Sequence, residues 1–162
     1  MYQKILITLE NTPADETIVP HLAELAGRFG AEMLLLHVAD GFAARCFDSL
    51  NLAESEEMRD DRAYLEGVAL KLRAGGLAVA CRLALGNPPV EILKIAAEEK
   101  CDLIAMTSHG HRFFGDLFHG STITQVRHGV NIPLLILPPP RRLPASAKPP
   151  GTGRQSGPAA GP

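Results

Sequence analysis

"KILITLENTPADETIVPHLAELAGRFGAEMLLLHV", residues 4–38, decides the fold. Its first part, "KILITL" (4–9), is an apolar run without alternation, the pattern of a strand buried on both faces. The middle reads as a helix. Thr12 is placed to cap it, Pro13 suits its first position, and Asp15 adds negative charge to its first turn. Ile18, Leu22, Leu25 and Phe29 repeat at helical spacing as a core face, and Gly30 suits a left-handed stop. "EMLLLHV" (32–38) is a second buried strand. One β-α-β unit with wholly apolar strands predicts a parallel sheet covered by helices on both faces.

The rest of the chain repeats that alternation. A helix is expected from about Asn51 to Ala74, with Met58, Leu65, Val68 and Leu72 inward and Gly75 and Gly76 ending it. "LAVACRLAL" (77–85) is a third strand, and the prolines of "GNPP" (86–89) open a helix over about 90–100. "DLIAMTS" (102–108) is a fourth strand. Thr122 with Gln125 reads as a capping box for a short helix to about His128. "IPLLIL" (132–137) is the fifth strand. The expected fold is an α/β, doubly wound, five-stranded parallel sheet of Rossmann-like type. In such folds ligands bind beyond the carboxyl ends of the strands, where strand order reverses.

Composition sets outer bounds. The chain has 162 residues with 16 basic and 18 acidic side chains, a formal charge of −2. Four of the basic residues, Arg141, Arg142, Lys148 and Arg154, follow Pro138, and no acidic residue does, so the body to Leu137 carries 12 − 18 = −6. An acidic body argues against nucleic-acid binding, which needs a basic footprint. The apolar runs are too short to span a bilayer, and "MYQKILITLE" has no leader pattern, so membrane association is not expected. Three cysteines without a CxxC suit a reducing cytoplasm. Residues 138–162 hold eight Pro and four Gly and are expected to form a flexible, basic tail behind a 1–137 domain.

Chemistry concentrates in "MTSHGHRFFGDLFHGST" (106–122), between the fourth strand and the next helix. "GDLFHGST" lacks the lysine of a P-loop, and no G-x-G-x-x-G follows the first strand, so neither nucleotide fingerprint applies. What remains is the physics of an anion site. A helix starting at Ser121 offers free N–H groups and a positive dipole end, and Gly120 permits close backbone approach. Ser121, Thr122 and Arg112 add donors. The plain alternative is that the glycines only turn the chain and a hydroxyl only caps the helix. His109, His111, His119 and His128 have no spacing that completes a metal set, so no metal ligands are assigned.

The body, about residues 2–137, resembles a universal stress protein domain. The family pattern after the fourth strand is G-x-x-G, nine residues, then G-[S/T]. Here it reads Thr107-Ser108-His109-Gly110, nine residues (111–119), then Gly120-Ser121, so only the first glycine differs. "GNPPVEIL", "CDLIAMTSHG" and "VRHGVNIPLLIL" are similar pieces in the expected order. The resemblance implies ATP, with Mg as an accompanying ion, across the carboxyl ends of strands one, two and four. It implies that Glu10, where Asp is usual, contacts the adenosine part, and that main-chain groups at Val38 hold the adenine. Thr107, in place of glycine, falls near the ribose. Gly110, Gly120 and Ser121 cradle the phosphates, with His111 and Thr122 as further contacts. Asn11 stands where glycine is common.

The family implication is a cytoplasmic stress or regulatory protein, homodimeric through the last strand (132–137) and acting on a protein partner. The alternative is a nucleotide-independent dimeric interaction protein of the same fold. Thr107 and Glu10 favour that alternative, whereas the intact Gly110, Gly120 and Ser121 favour nucleotide binding. Nothing fixes a catalytic geometry, so no catalytic residue is assigned. At most Asp116, His111 and Arg112 would support slow ATP hydrolysis.

Overall fold

The computed structural model describes residues 1–39, 56–108 and 119–140. Its elements are β1 (Lys4–Thr8), α1 (Asp15–Phe29), β2 (Glu32–Ala39), α2 (Glu56–Ala74), β3 (Val79–Leu85), α3 (Pro88–Glu98), β4 (Leu103–Thr107), α4 (His119–Gly129) and β5 (Leu134–Leu137). The strands form one five-stranded sheet in the order β3-β2-β1-β4-β5. Every pairing is parallel. The doubly wound α/β fold expected from the apolar strands is therefore the fold observed.

Two apolar layers cover the sheet. Ile5, Ile7, Met33, Leu35, Leu103 and Ala105 pack on α1 and α2 through Ile18, Leu22, Ala26, Leu65 and Ala69. Leu6, Leu34, Leu36, Ile104 and Met106 pack on α3 and α4 through Ile92, Ile95, Ala96 and Val126. Successive residues of one strand enter opposite cores, which is why the central strands are apolar throughout.

The helix ends follow the expected chemistry in most places. Gly30 has φ 64°, and its N–H donates to the Ala26 carbonyl. Gly76, at φ 86°, closes the turn after α2. Pro88 and Pro89 occupy the opening positions of α3. The opening of α1 differs: Thr12 does not cap it and Pro13 is not its first residue, because Ala14 stands before Asp15 without a side-chain cap bond, and the Thr12 hydroxyl accepts from the Ala14 N–H at 3.3 Å within the preceding turn.

Two other expectations change. Phe29 is 40% exposed and meets Tyr2 edge-on at 5.7 Å. The buried position on the last turn of α1 is Ala26, because the stripe runs Ile18, Leu22, Ala26 at four-residue spacing. The last helix includes His119, Gly120 and Ser121, so Thr122 lies within its first turn and is not its cap. Glycine is a weak helix former, but a first turn makes few intrahelical bonds and tolerates it. The start of the long helix at 51–55 and the tail at 141–162 lie outside the described residues. No helix among the described residues is long and apolar enough to cross a membrane.

Candidate functional site

The strand order shows where a doubly wound sheet offers ligands a place. The chain lays β2 and then β3 on one side of β1, returns to place β4 on the other side, and adds β5 outside it. The direction of winding reverses between β1 and β4. Helices on opposite faces diverge there, opening a crevice at the carboxyl ends. Glu10 lies two residues past β1, Val38 near the end of β2, and Thr107 at the end of β4. These three sequence-derived residues thus come together on adjacent strand ends.

Thr107 is 3% exposed, and its Oγ1 has no hydrogen-bond partner. It is the buried side-chain oxygen left unsatisfied among the described residues. Such a hydroxyl costs about 1–3 kcal/mol when unpaired, so its retention at a crevice rim calls for a physical reason. Beside it, Ser108 donates both its N–H (2.8 Å) and its hydroxyl (3.3 Å) to the Leu137 carbonyl and prolongs the β4–β5 edge.

Gly120, Ser121 and Thr122 lie in the first turn of α4, at the positive end of its dipole. Shifting the helix start to His119 therefore keeps these backbone donors at the positive end. Gly110 and His111 lie outside the described residues, as do Arg112 and Asp116.

The turn after β1 is built around a carboxylate that the sequence reading treated only as a helix-end charge. Asp15 is 2% exposed. Its oxygens accept from the N–H groups of Glu10 (3.1 Å), Asn11 (2.8 Å) and Thr12 (3.4 Å) and from the Tyr64 hydroxyl (2.8 Å). Wrapping three consecutive N–H groups around one side chain demands a sharp backbone turn. Asn11 supplies it at φ 56°, a conformation that Asn tolerates better than most residues and that explains why glycine also suits the position. Burial, then the bond to Asp15 and its charge, push the Tyr64 hydroxyl well above its ordinary range.

A second buried carboxylate lies on α2. Asp61 is 8% exposed. Its Oδ2 is 3.1 Å from His37 Nε2, and its Oδ1 accepts from Asn11 Nδ2 at 3.5 Å. The other ring nitrogen, His37 Nδ1, is 2.8 Å from the Leu9 carbonyl oxygen. Both nitrogens lie within hydrogen-bond distance of an oxygen, so the ring is held from both edges.

Asp61, His37 and Tyr64 were not found from the sequence. The signals available were faint: a polar His at the end of an apolar strand, and an acid and a tyrosine three residues apart on one helix. Among the described residues, burial pushes the Cys101 thiol up to about 11 and raises Cys81 as well. Cys46 lies outside the described residues.

Comparison with known proteins agrees with this fold. A sequence model of the universal stress protein family matches residues 1–138. The chain is 27% identical over 154 residues to "Universal stress protein MJ0577" of Methanocaldococcus jannaschii, covering 85% of this chain and 95% of that protein. The solved structure of MJ0577 superposes with a TM-score of 0.73 at 26% identity, over 88% of this chain and 99% of the other. An Archaeoglobus fulgidus universal stress protein solved in complex with dAMP gives 0.62 at 19% identity, over 83% and 97% of the two chains. A universal stress protein solved with cAMP also gives 0.62, at 17% identity over 84% and 96%. The last two likenesses bear on the fold.

Proposed function

The chain belongs to the universal stress protein family, and from that premise we propose that it binds ATP in the crevice between the carboxyl ends of β1 and β4. The observation that carries this reading is the meeting of Glu10, Val38 and the unpaired Thr107 hydroxyl on adjacent strand ends at the point of winding reversal. In this reading the Val38 main chain holds the adenine, Glu10 and Thr107 face the sugar, and Gly110, Gly120 and Ser121 receive the phosphates. His111 and Thr122 are further contacts, and Mg accompanies the phosphates. The first turn of α4 supports the phosphate end, since the positive end of a helix dipole favours an anion. That the same fold is found with cAMP and with dAMP in two other proteins agrees with an adenine nucleotide.

The proposed role is stress-linked regulation in the cytoplasm through a protein partner, without a catalytic residue. The proposed assembly is a homodimer through β5. This strand pairs with β4 on one side, and Ile136 on it is 39% exposed, an apolar edge that a second copy would cover. Light scattering on the full chain should return twice the mass of one chain, and a monomer would remove this assembly.

The ligand is tested by calorimetry with ATP. Gly120→Val places a branched side chain where the backbone must approach the phosphates and should abolish ATP binding in a folded protein. Unchanged affinity would move the phosphates elsewhere. Absence of ATP binding by the unaltered chain would favour the nucleotide-independent reading.

A further inference from the structure

We propose that Asp61, on α2, is a positioning residue for the nucleoside half of this site, acting through His37 and Asn11. The inference rests on the adenine-nucleotide reading above and deepens it. Asp61 faces both segments that bound the crevice on the β1–β2 side. Through Asn11 it grips the residue after Glu10. Through His37, whose other nitrogen reaches the Leu9 carbonyl, it grips the residue before Glu10 and the residue before Val38. Glu10 is therefore fixed from both sides and Val38 from one, all by a single carboxylate. Asp15 adds a second restraint by accepting the Glu10 N–H.

Stability alone does not account for such an arrangement. A buried polar pair gains little over apolar side chains of the same volume, because desolvation offsets the attraction. The apolar layer under it is already dense, with Ile7, Leu9, Leu35 and Leu65 at most 1% exposed. What the pair adds is direction: hydrogen bonds fix angles that apolar contacts leave free. The groups that would touch a nucleoside are thus held from α2.

The test compares Asp61→Leu with Asp61→Asn, measuring affinity for ATP, AMP and adenosine by calorimetry. Asp61→Leu removes both contacts and should weaken all three ligands alike, by about 10-fold, since small misplacements of positioned groups cost factors of this order or more. Asp61→Asn should recover most of the affinity. Its amide N–H would donate to His37 Nε2 while Nδ1–H keeps the Leu9 carbonyl, and its oxygen would still accept from Asn11. A purely structural role would lower the melting temperature of Asp61→Leu and leave the affinity of the folded protein unchanged, which would overturn the proposal. So would a loss confined to ATP, since that belongs to the phosphate end.

If Asp61→Leu does not fold, adenosine is titrated into the unaltered protein labelled with 15N-histidine. The His37 ring nitrogens should shift on binding, and unmoved signals would overturn the proposal. Gly120→Val separates the two readings, because it should lose ATP and keep adenosine. An unaffected Gly120→Val beside a weakened Asp61→Leu would sink the phosphate placement alone. A chain that binds neither adenosine nor ATP would sink both.

Discussion

At the amino ends of the strands, charge lies near the surface and is paired with charge. Lys4 Nζ is 2.7 Å from Glu99 and 3.5 Å from Glu32. Arg82 reaches Glu98 at 2.9 Å and Glu99 at 3.3 Å, and Asp102 accepts from the Gln3 and Lys4 N–H groups. At the carboxyl ends, polar groups are buried and mostly bonded to backbone or to neutral partners. Asp15 gathers three N–H groups and a phenol, Asp61 holds an imidazole and an amide, and Thr107 holds nothing. Water can replace any lost partner at the amino end, so that network contributes little and constrains little. At the carboxyl end water has little access, so each bond is costly to lose and its geometry is correspondingly fixed. One end ties the sheet off, and the other is preorganised around a group still missing a partner.

The largest expected effect is at Asp15. Asp15→Ala leaves three backbone donors and the Tyr64 hydroxyl without their acceptor and should cost about 3 kcal/mol or more in urea unfolding. A loss below about 1 kcal/mol would mean that the turn is satisfied by other groups, and the contrast between the two ends would fail.

A change of opposite sign is expected at Thr107. Thr107→Val keeps the shape and removes the unpaired hydroxyl, so the ligand-free protein should gain about 1 kcal/mol. ATP affinity should fall several-fold at the same time if the hydroxyl meets the sugar. Gained stability with unchanged affinity would leave the hydroxyl a cost without a use, and would take Thr107 out of the site.

Lys4 should show the smallest effect. Lys4→Met should lower stability by less than about 1 kcal/mol, and by less still in high salt. The hydrogen bond and charge of Lys4 hold Glu99 below the usual carboxylate range, and the bond to Glu99 raises Lys4. A depressed carboxyl contributes stability above its ordinary range and loses it as pH falls through its folded value. Acid titration of the unaltered protein should therefore remove this small share, and Lys4→Met should lack it. A loss as large as that of Asp15→Ala would erase the distinction between the ends.

Much of this molecule was legible in one dimension. The stretches at 5–7, 33–36 and 103–106 are apolar at every position because each strand serves two cores, the pattern of a sheet covered on both faces. The glycines at 30, 75 and 76 and the prolines at 88 and 89 end and begin helices by backbone geometry that is local to the chain. That Glu10, Val38 and Thr107 share a rim was implied by the family resemblance, whereas the place of the winding reversal was decided by the strand order of the folded sheet.

What lay beyond the sequence are the contacts that join distant segments. Asp15 and Tyr64 are separated by 49 positions, Asn11 and Asp61 by 50, and His37 and Leu9 by 28. An acid on a helix face reads as solvated until another element covers it. Asp15 and Asp61 became buried acceptors only when α1 and α2 closed over the turn after β1. Likewise Thr107 reads as one more β-branched strand residue. Only the packed structure decides that its hydroxyl is buried without a partner, because burial depends on the neighbours that arrive and local sequence does not name them.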